Sequence, residues 1–326
     1  MEQKVLRTGT LVIACALILR LVSGGFLSIP HDLILSPKIA SWLIFFQTGR
    51  LVRPANIEFT PTEPTEETPS TLPVKPEISV PTFSAADADA LQINSSFSFT
   101  ADLPALITQP LSWNLTKDAP TVLILHSHGS ESFSGSYSET SPYHTLDTNH
   151  NMISIGARVA ELLTAGGVSV LHDTTLHDNP SYNASYSNSR ASVQRYLQDY
   201  PSIRVVLDLH RDSFEDEEGN QIVQTVFSQG TAFAPLMLVV GTNYGGLDHP
   251  QWRENLSFAL KLQTQLETLC PGICRDINLR SQRFNQDLSN GALLIEVGAS
   301  GNTQQQALHA AEILAQGILS LAHGSN

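Results

Sequence analysis

The chain has 326 residues, enough for one large domain or two ordinary ones, and its hydrophobic content of 41% is sufficient for a packed core. The formal net charge of -13 argues against nucleic acid as a partner, because phosphate binding needs a basic surface that releases counterions. This acidic balance suits a soluble domain outside the cytoplasm better than a reader of DNA or RNA.

The first predicted element is an N-terminal membrane anchor. Lys4 and Arg7 precede an apolar stretch over residues 9–29, which is about the length that spans a bilayer. Basic residues ahead of such a stretch favour a cytoplasmic N-terminus, so the remaining chain is predicted to lie outside the cytoplasm. No small-x-small cleavage site follows. Residues 1–30 are therefore predicted to form an uncleaved, single-pass transmembrane helix, although Arg20 lies within it.

Residues 31–85 are predicted to form a juxtamembrane segment followed by an extended linker. The apolar run at residues 42–46 is too short to span a membrane. From Pro54 onward the segment is rich in Pro, Thr and Glu, so it cannot bury enough apolar surface to offset the entropy of an ordered chain. This boundary leaves residues 86–326 as the folded domain.

In the folded domain, short apolar runs alternate with helical patterns. Buried strands are predicted at residues 121–126, 168–173, 203–210, 235–242 and 292–298, and an edge strand or hairpin arm at 221–229. Helices are predicted at residues 152–166, 189–200, 250–269 and 302–322. This alternation predicts an α/β fold, a three-layer sandwich with a mainly parallel or mixed central sheet flanked by helices. In such sheets the chemistry gathers at the carboxyl ends of the strands.

Three of the predicted strands end in side chains suited to metal binding or acid–base chemistry. These residues are His126, His128 and Glu131 after the first strand, Asp208, His210, Arg211 and Asp212 at the third, and Glu296 at the last. A His-x-x-Glu turn with a histidine from a distant strand forms a zinc site that keeps one position for water. The pattern predicts Zn²⁺ on His128, Glu131 and His210. Glu296 would be the general base that takes a proton from water and passes it to the leaving nitrogen.

Other residues receive supporting roles. His126 is expected to share a face with His128, and to support the ligands or contact substrate. Arg190 and Arg283 are candidate clamps for a substrate carboxylate. The pair Cys270 and Cys274 leaves two alternatives open, a short disulfide or two free thiols. A serine hydrolase is disfavoured because the chain has no G-x-S-x-G motif at these strand ends.

Several ordered motifs carry a resemblance to a known family. They are HSHGSES, LHDNPSYNASYSNSR, DLHRDS and FNQDLSNGALLIEVG, and over residues 103–322 they resemble the stage II sporulation protein P family of endospore-forming bacteria. That family is similar in fold to zinc-dependent N-acetylmuramoyl-L-alanine amidases. The resemblance implies cleavage of peptidoglycan between muramic acid and the L-alanine of the stem peptide during forespore engulfment, and in some members cleavage of peptide cross-links. It also implies a membrane-anchored protein in the septal space that works with stage II sporulation protein D.

The resemblance extends to individual positions. His128 looks like the first zinc histidine of the amidases, His210 like their later one, and Glu296 like their catalytic glutamate. For the second ligand Glu131 is preferred, but His150 competes with it, because some zinc amidases place this ligand just before a helix. Arg211, Asp212 and Asn285, which lie in the same motifs, are expected either to bind substrate or to support the ligands. Two other functions remain as alternatives, a zinc carboxypeptidase acting on cell-wall peptides and a catalytically inactive cell-wall-binding module.

Overall fold

The computed structural model describes residues 81–135 and 143–322, so the predicted anchor and nearly all of the predicted linker lie outside the described residues. Within these two ranges, none of the helices combines the length and the apolar character that crossing a bilayer requires.

The central element is a mixed β-sheet. In chain order the strands are β1 (Ile93–Ser95), β2 (Val122–Leu125), β3 (Val170–His172), β4 (Val205–Asp212), β5 (Val226–Ser228), β6 (Thr231–Phe233), β7 (Leu236–Gly241), β8 (Ile277–Arg280) and β9 (Gly291–Ala299). Seven of them form one sheet in the order β1-β8-β7-β9-β4-β2-β3, while β5 and β6 form a separate hairpin. Only the β7–β9 pairing in the large sheet is antiparallel. The predicted mixed, mainly parallel sheet is confirmed.

Helices flank both faces of this sheet. They are α1 (Ala85–Asp89), α2 (Leu103–Thr108), α3 (Met152–Ala165), α4 (Ser185–Asp199), α5 (Trp252–Leu269) and α6 (Gln304–Ser320). The large core joins α3, α5 and α6 to alternate residues of the strands, such as Val122 and Ile124 of β2. On the other face, Val193 of α4 packs against Leu123, and this smaller core also contains Val206 and Ala292. The helices of both layers therefore bury the apolar strands that the sequence predicts.

The described residues just before residue 86, the predicted start of the folded domain, pack against its core. Phe83 is part of the large core, and the ammonium group of Lys261 lies 4.3 Å from the centre of its ring. Lys261 is fully buried and donates a hydrogen bond of 2.5 Å to the carbonyl oxygen of Ile107, at the end of α2. Burial lowers the pKa of Lys261 to about 8. These contacts hold the beginning of the described chain against α5.

Helix α3 approaches the sheet closely at Gly156, and this contact yields a stability prediction. A Cβ atom at position 156 would overlap Nε2 of both His126 and His172. Alanine in a helix normally gains up to ~1 kcal/mol over glycine. Overpacking a core costs about 1–3 kcal/mol, and His126 cannot move aside because both of its ring nitrogens are in hydrogen-bonding contacts. Gly156→Ala is therefore expected to lower the free energy of unfolding, measured by denaturant titration.

The exposed neighbour Ala157 provides the control, since Ala157→Ser should change stability by no more than about 0.5 kcal/mol. An equally stable Gly156→Ala protein would contradict the prediction.

Candidate metal centre

Three of the predicted ligands converge at the carboxyl end of the parallel strands. After β2 ends, the chain turns through His128 and Glu131, and the neighbouring strand β4 carries His210. Nδ1 of His128 lies 3.6 Å from Oε1 of Glu131, and Nδ1 of His210 lies 3.5 Å from Oε2. The ligand atoms of the three residues all lie within 4.8 Å of one another. Strand β2 pairs in parallel with β4. His210 of β4 therefore lies at the same edge of the sheet as His128 and Glu131, which are about 80 positions earlier in the sequence.

The geometry of this cluster fits a zinc ion. With zinc–ligand distances of about 2.0–2.1 Å, neighbouring ligand atoms of a tetrahedral site lie roughly 3.3–3.4 Å apart. The two nitrogen–oxygen separations, 3.6 and 3.5 Å, are close to this spacing. Two imidazoles and one carboxylate are also a ligand set that catalytic zinc sites use, with a fourth position left for water. The residues present therefore match the predicted cofactor in type, with each imidazole nitrogen near a different oxygen of Glu131 and all ligand atoms within 4.8 Å of one another.

The far nitrogen of each imidazole faces a polar group, but only that of His128 has hydrogen-bond geometry; that of His210 makes an ion-pair contact. Nε2 of His128 lies 2.8 Å from the hydroxyl oxygen of Ser185, and Nε2 of His210 lies 2.9 Å from Oδ1 of Asp208. Asp208 is fixed in turn by hydrogen bonds of 2.7 and 2.6 Å from the amide and hydroxyl groups of Ser127. Partners of this kind set the orientation and tautomer of histidine ligands. Here they turn Nδ1 of both rings towards Glu131.

Strong electrostatic coupling accompanies this geometry. Burial opposes the charged form of Glu131, but contacts with His128 and His210 outweigh burial and lower the Glu131 pKa well below its usual range. Burial also opposes a charged His210, yet Asp208 and Glu131 raise the His210 pKa well above its ordinary value. The cluster thus holds a proton tightly. A metal ion that binds there has to displace this proton, because only neutral imidazole coordinates metal.

Glu296 lies beside the cluster on β9. It pairs in register with His210 of β4, just before a β-bulge that shifts the pairing between His210 and Asp212. Oε2 of Glu296 is buried and accepts no hydrogen bond from any residue in the described ranges. Burial is the main cause that raises the Glu296 pKa, to about 8. A cation bound nearby would favour the carboxylate form, and an unengaged carboxylate oxygen is what a general base for water requires.

The contact between Asp208 and His210 yields a metal-affinity prediction. Asp208→Asn removes the negative charge beside Nε2 of His210, and loss of such a carboxylate partner typically costs 10–100-fold in metal affinity. We expect a zinc dissociation constant raised by about 10–100-fold, measured by competition with a chromogenic chelator. Asp199→Asn, at the exposed end of α4, is the matched control and should leave affinity unchanged. Wild-type affinity in Asp208→Asn would show that this carboxylate does not support the ligand.

His126 and His150 lie outside the cluster. Nδ1 of His126 lies 3.0 Å from the carbonyl oxygen of Leu209, and its Nε2 lies 2.9 Å from Nε2 of His172. Burial lowers the His126 pKa to about 3. Its ring therefore packs beneath α3 instead of sharing a face with His128. Nδ1 of His150 lies 2.8 Å from Oδ2 of Asp147, and His150 is not among the converging residues.

Arg211 contacts the loop that carries Glu131. Its backbone amide donates a hydrogen bond of 3.2 Å to Oε2 of Glu131. Its buried guanidinium group donates to the carbonyl oxygens of Ser132 and Tyr143, at 3.0 and 2.7 Å. Arg211 therefore supports Glu131 as well as the backbone at Ser132 and Tyr143.

The residues predicted to hold a substrate carboxylate have partners within the protein. Arg190 forms two hydrogen bonds with Asp287, at 2.8 and 2.7 Å, and Arg283 lies 3.4 Å from the same carboxylate. Asp287 thus engages both guanidinium groups that were predicted as clamps. Asn285 accepts a bond of 3.3 Å from Arg190. Asp212 pairs with Arg275 at 2.7 Å.

Two tyrosines that the sequence analysis did not single out line the cluster. Tyr182 stacks on His128 with ring centres 4.1 Å apart, while the Tyr186 ring centre lies 5.5 Å from that of His128 and 6.3 Å from that of His210. Burial, followed by the charges of Asp208 and Glu296, raises the Tyr186 pKa far above its usual range, so its hydroxyl stays protonated. The two tyrosines are four residues apart at the start of a helical pattern, and residues with this spacing lie on the same face of a helix. This spacing is the feature of the sequence that could have indicated them.

The fold and this site define an α/β protein with a candidate metal centre at the carboxyl ends of parallel strands. The family model described as Stage II sporulation protein P (SpoIIP) matches residues 56–319, and the chain belongs to this family. The resemblance predicted from the motifs is confirmed. A curated relative, Stage II sporulation protein P of Bacillus subtilis (strain 168), is 26% identical over 212 residues. That match covers 61% of this chain and 50% of the relative, so the chain spans about half the length of the relative.

Solved structures give weaker likenesses. The apo form of the N-acetylmuramyl-L-alanine amidase Ami1 from Mycobacterium abscessus superposes with a TM-score of 0.36 at 14% identity, covering 62% of this chain and 96% of that one. The succinylglutamate desuccinylase from Chromobacterium violaceum superposes with a TM-score of 0.33 at 10% identity, covering 64% of each chain.

Proposed function

We propose that the chain is a zinc-dependent N-acetylmuramoyl-L-alanine amidase that cleaves peptidoglycan between N-acetylmuramic acid and the L-alanine of the stem peptide. The observation that carries the proposal is the convergence of His128, Glu131 and His210, with the unengaged carboxylate of Glu296 on the adjoining strand. This combination offers a metal centre and a base, the two components that metal-assisted amide hydrolysis needs.

Each residue has a separate role in the proposed reaction. A zinc ion held by the two Nδ1 atoms and Glu131 would polarise the substrate carbonyl and make water more acidic. Glu296 accepts a proton from the attacking water at Oε2 and later delivers it to the leaving nitrogen, which departs as the free amine of L-alanine. Asp208 and Ser185 keep the two imidazoles oriented throughout.

The proposal extends to the biological setting. The family's name supports sporulation as the stage at which the protein acts. We infer that residues 1–30 anchor it in the membrane as a single-pass helix, that the domain beginning near residue 86 faces the septal space, and that the enzyme acts on the cell wall during forespore engulfment. Cleavage of peptide cross-links and joint action with stage II sporulation protein D belong to the same proposal.

Mass analysis of digested peptidoglycan tests this function. The purified full chain, loaded with one equivalent of zinc, is incubated with sacculi. An amidase releases intact stem peptides that begin with a free L-alanine, and leaves glycan with free lactyl carboxylates. A carboxypeptidase removes only a terminal residue, and cleavage of cross-links releases muropeptide monomers that keep the sugar. A protein that retains no zinc and leaves sacculi unchanged would overturn the enzyme proposal and favour a wall-binding module.

A further inference from the structure

Tyr186 is placed against both histidines of the metal centre. It lies in the first turn of α4, directly after Ser185, whose hydroxyl contacts His128. The Tyr186 ring meets His128 edge-on, at 70° and 5.5 Å between ring centres, and lies nearly parallel to His210, at 11° and 6.3 Å. One aromatic side chain thus borders both imidazoles.

The position of Tyr186 is fixed by a second segment. Its carbonyl oxygen accepts a hydrogen bond of 2.8 Å from the side-chain amide of Asn285, and its ring packs against Phe284 at 5.7 Å. Phe284 and Asn285 both have left-handed backbone conformations, with φ of 49° and 58°. The ion pair between Arg190 and Asp287 joins this segment to α4 one turn further on. Groups held by such a supporting network keep the accuracy that catalysis requires.

The Tyr186 hydroxyl is unengaged despite this fixed ring. It forms no hydrogen bond with any described residue, although the side chain is only partly exposed. The carboxylates of Asp208, Glu296 and Glu131 act on it electrostatically. Asp208 is already engaged by Ser127 and His210, which leaves the phenol as a donor available to a molecule in the site.

We propose that the Tyr186 hydroxyl donates a hydrogen bond to the carbonyl oxygen of the scissile amide as negative charge develops there. This inference rests on the proposed amidase function. In the step concerned, a water oxygen bonds to the carbonyl carbon and its proton passes to Glu296. The carbonyl π electrons move onto the carbonyl oxygen, which Tyr186 stabilises without giving up its proton. The C–N bond then breaks as Glu296 returns the proton to nitrogen.

A charge-stabilising donor has a kinetic signature that a packing residue lacks. Removing one such donor typically lowers kcat by 10²–10³-fold, because the hydrogen bond is strong only in the transition state. Tyr186→Phe deletes the hydroxyl and keeps the ring that packs on His128 and His210. We expect kcat to fall by about 10²-fold, with KM within about twofold and one zinc retained per chain.

Steady-state kinetics on a soluble muropeptide, with zinc content measured on the same samples of the full chain, tests the inference. Tyr200→Phe, at the end of the same helix, is the matched control and should retain wild-type kinetics. A wild-type kcat in Tyr186→Phe would overturn the inference and leave the amidase proposal intact. A loss of activity that matches a loss of zinc would also overturn it, since the hydroxyl would then act on metal binding. An inert, zinc-loaded wild-type protein would instead overturn the amidase proposal, and this inference with it.

Discussion

Glu296→Gln is expected to lower the rate of peptidoglycan hydrolysis by about 10²–10⁴-fold, the usual contribution of a positioned general base. The amide is nearly the same size as the carboxylate but cannot accept a proton from water. Because Glu296 is not one of the three converging residues proposed to hold the metal, the variant should keep one zinc per chain. Stem-peptide release from sacculi, followed by mass analysis, measures the rate, and metal analysis of the same sample measures the zinc.

The control for this variant is an exposed glutamate. Glu161 on α3 contacts Arg158 at the surface, so Glu161→Gln should leave the rate unchanged. If Glu296→Gln remains fully active while it holds zinc, the base is another residue. If it loses zinc together with activity, Glu296 contributes to metal binding instead of proton transfer.

Glu131→Gln is expected to weaken zinc binding by at least about 100-fold, beyond the 10–100-fold that loss of an outer partner costs. The substitution removes the anionic oxygens that lie 3.6 and 3.5 Å from Nδ1 of His128 and of His210. His150→Ala is expected to leave zinc content unchanged, because His150 lies next to Asp147 and outside the cluster. Zinc per chain after dialysis against a weak chelator measures both variants side by side.

This pair of variants decides between the two alternatives for the second ligand. Zinc loss in His150→Ala together with retention in Glu131→Gln would reverse the assignment and require the loop of His150 to move towards His128. Equal retention in both variants would mean that the two histidines of the cluster bind the metal without either residue.

The strands that carry the site could be predicted because the apolar pattern of each strand lies within its own short segment of sequence. The runs over 121–126, 203–210 and 292–298 are apolar on both faces, so only a buried strand in a layered sheet accommodates them. Strand β4 lies between β2 and β9 and is parallel to both, which brings the carboxyl ends of the three strands to one edge. By contrast β8, with the sequence INLR, has only two apolar side chains. Its strand conformation depends on pairing with β1 and β7.

The chain by itself determined the family, the α/β layering and the residue types at the strand ends, since each follows from a motif or a local apolar pattern. Only the tertiary structure decided how these side chains are paired. His126 and His128 would share a face in an extended strand, but β2 ends at Leu125 and the chain turns, so only His128 joins Glu131 and His210. Likewise, Asp287 engages the guanidinium group of Arg190, 97 positions away in the sequence. This contact between distant segments depends on how α4 packs against the sheet. Neither the sequence around Arg190 nor that around Asp287 indicates this packing.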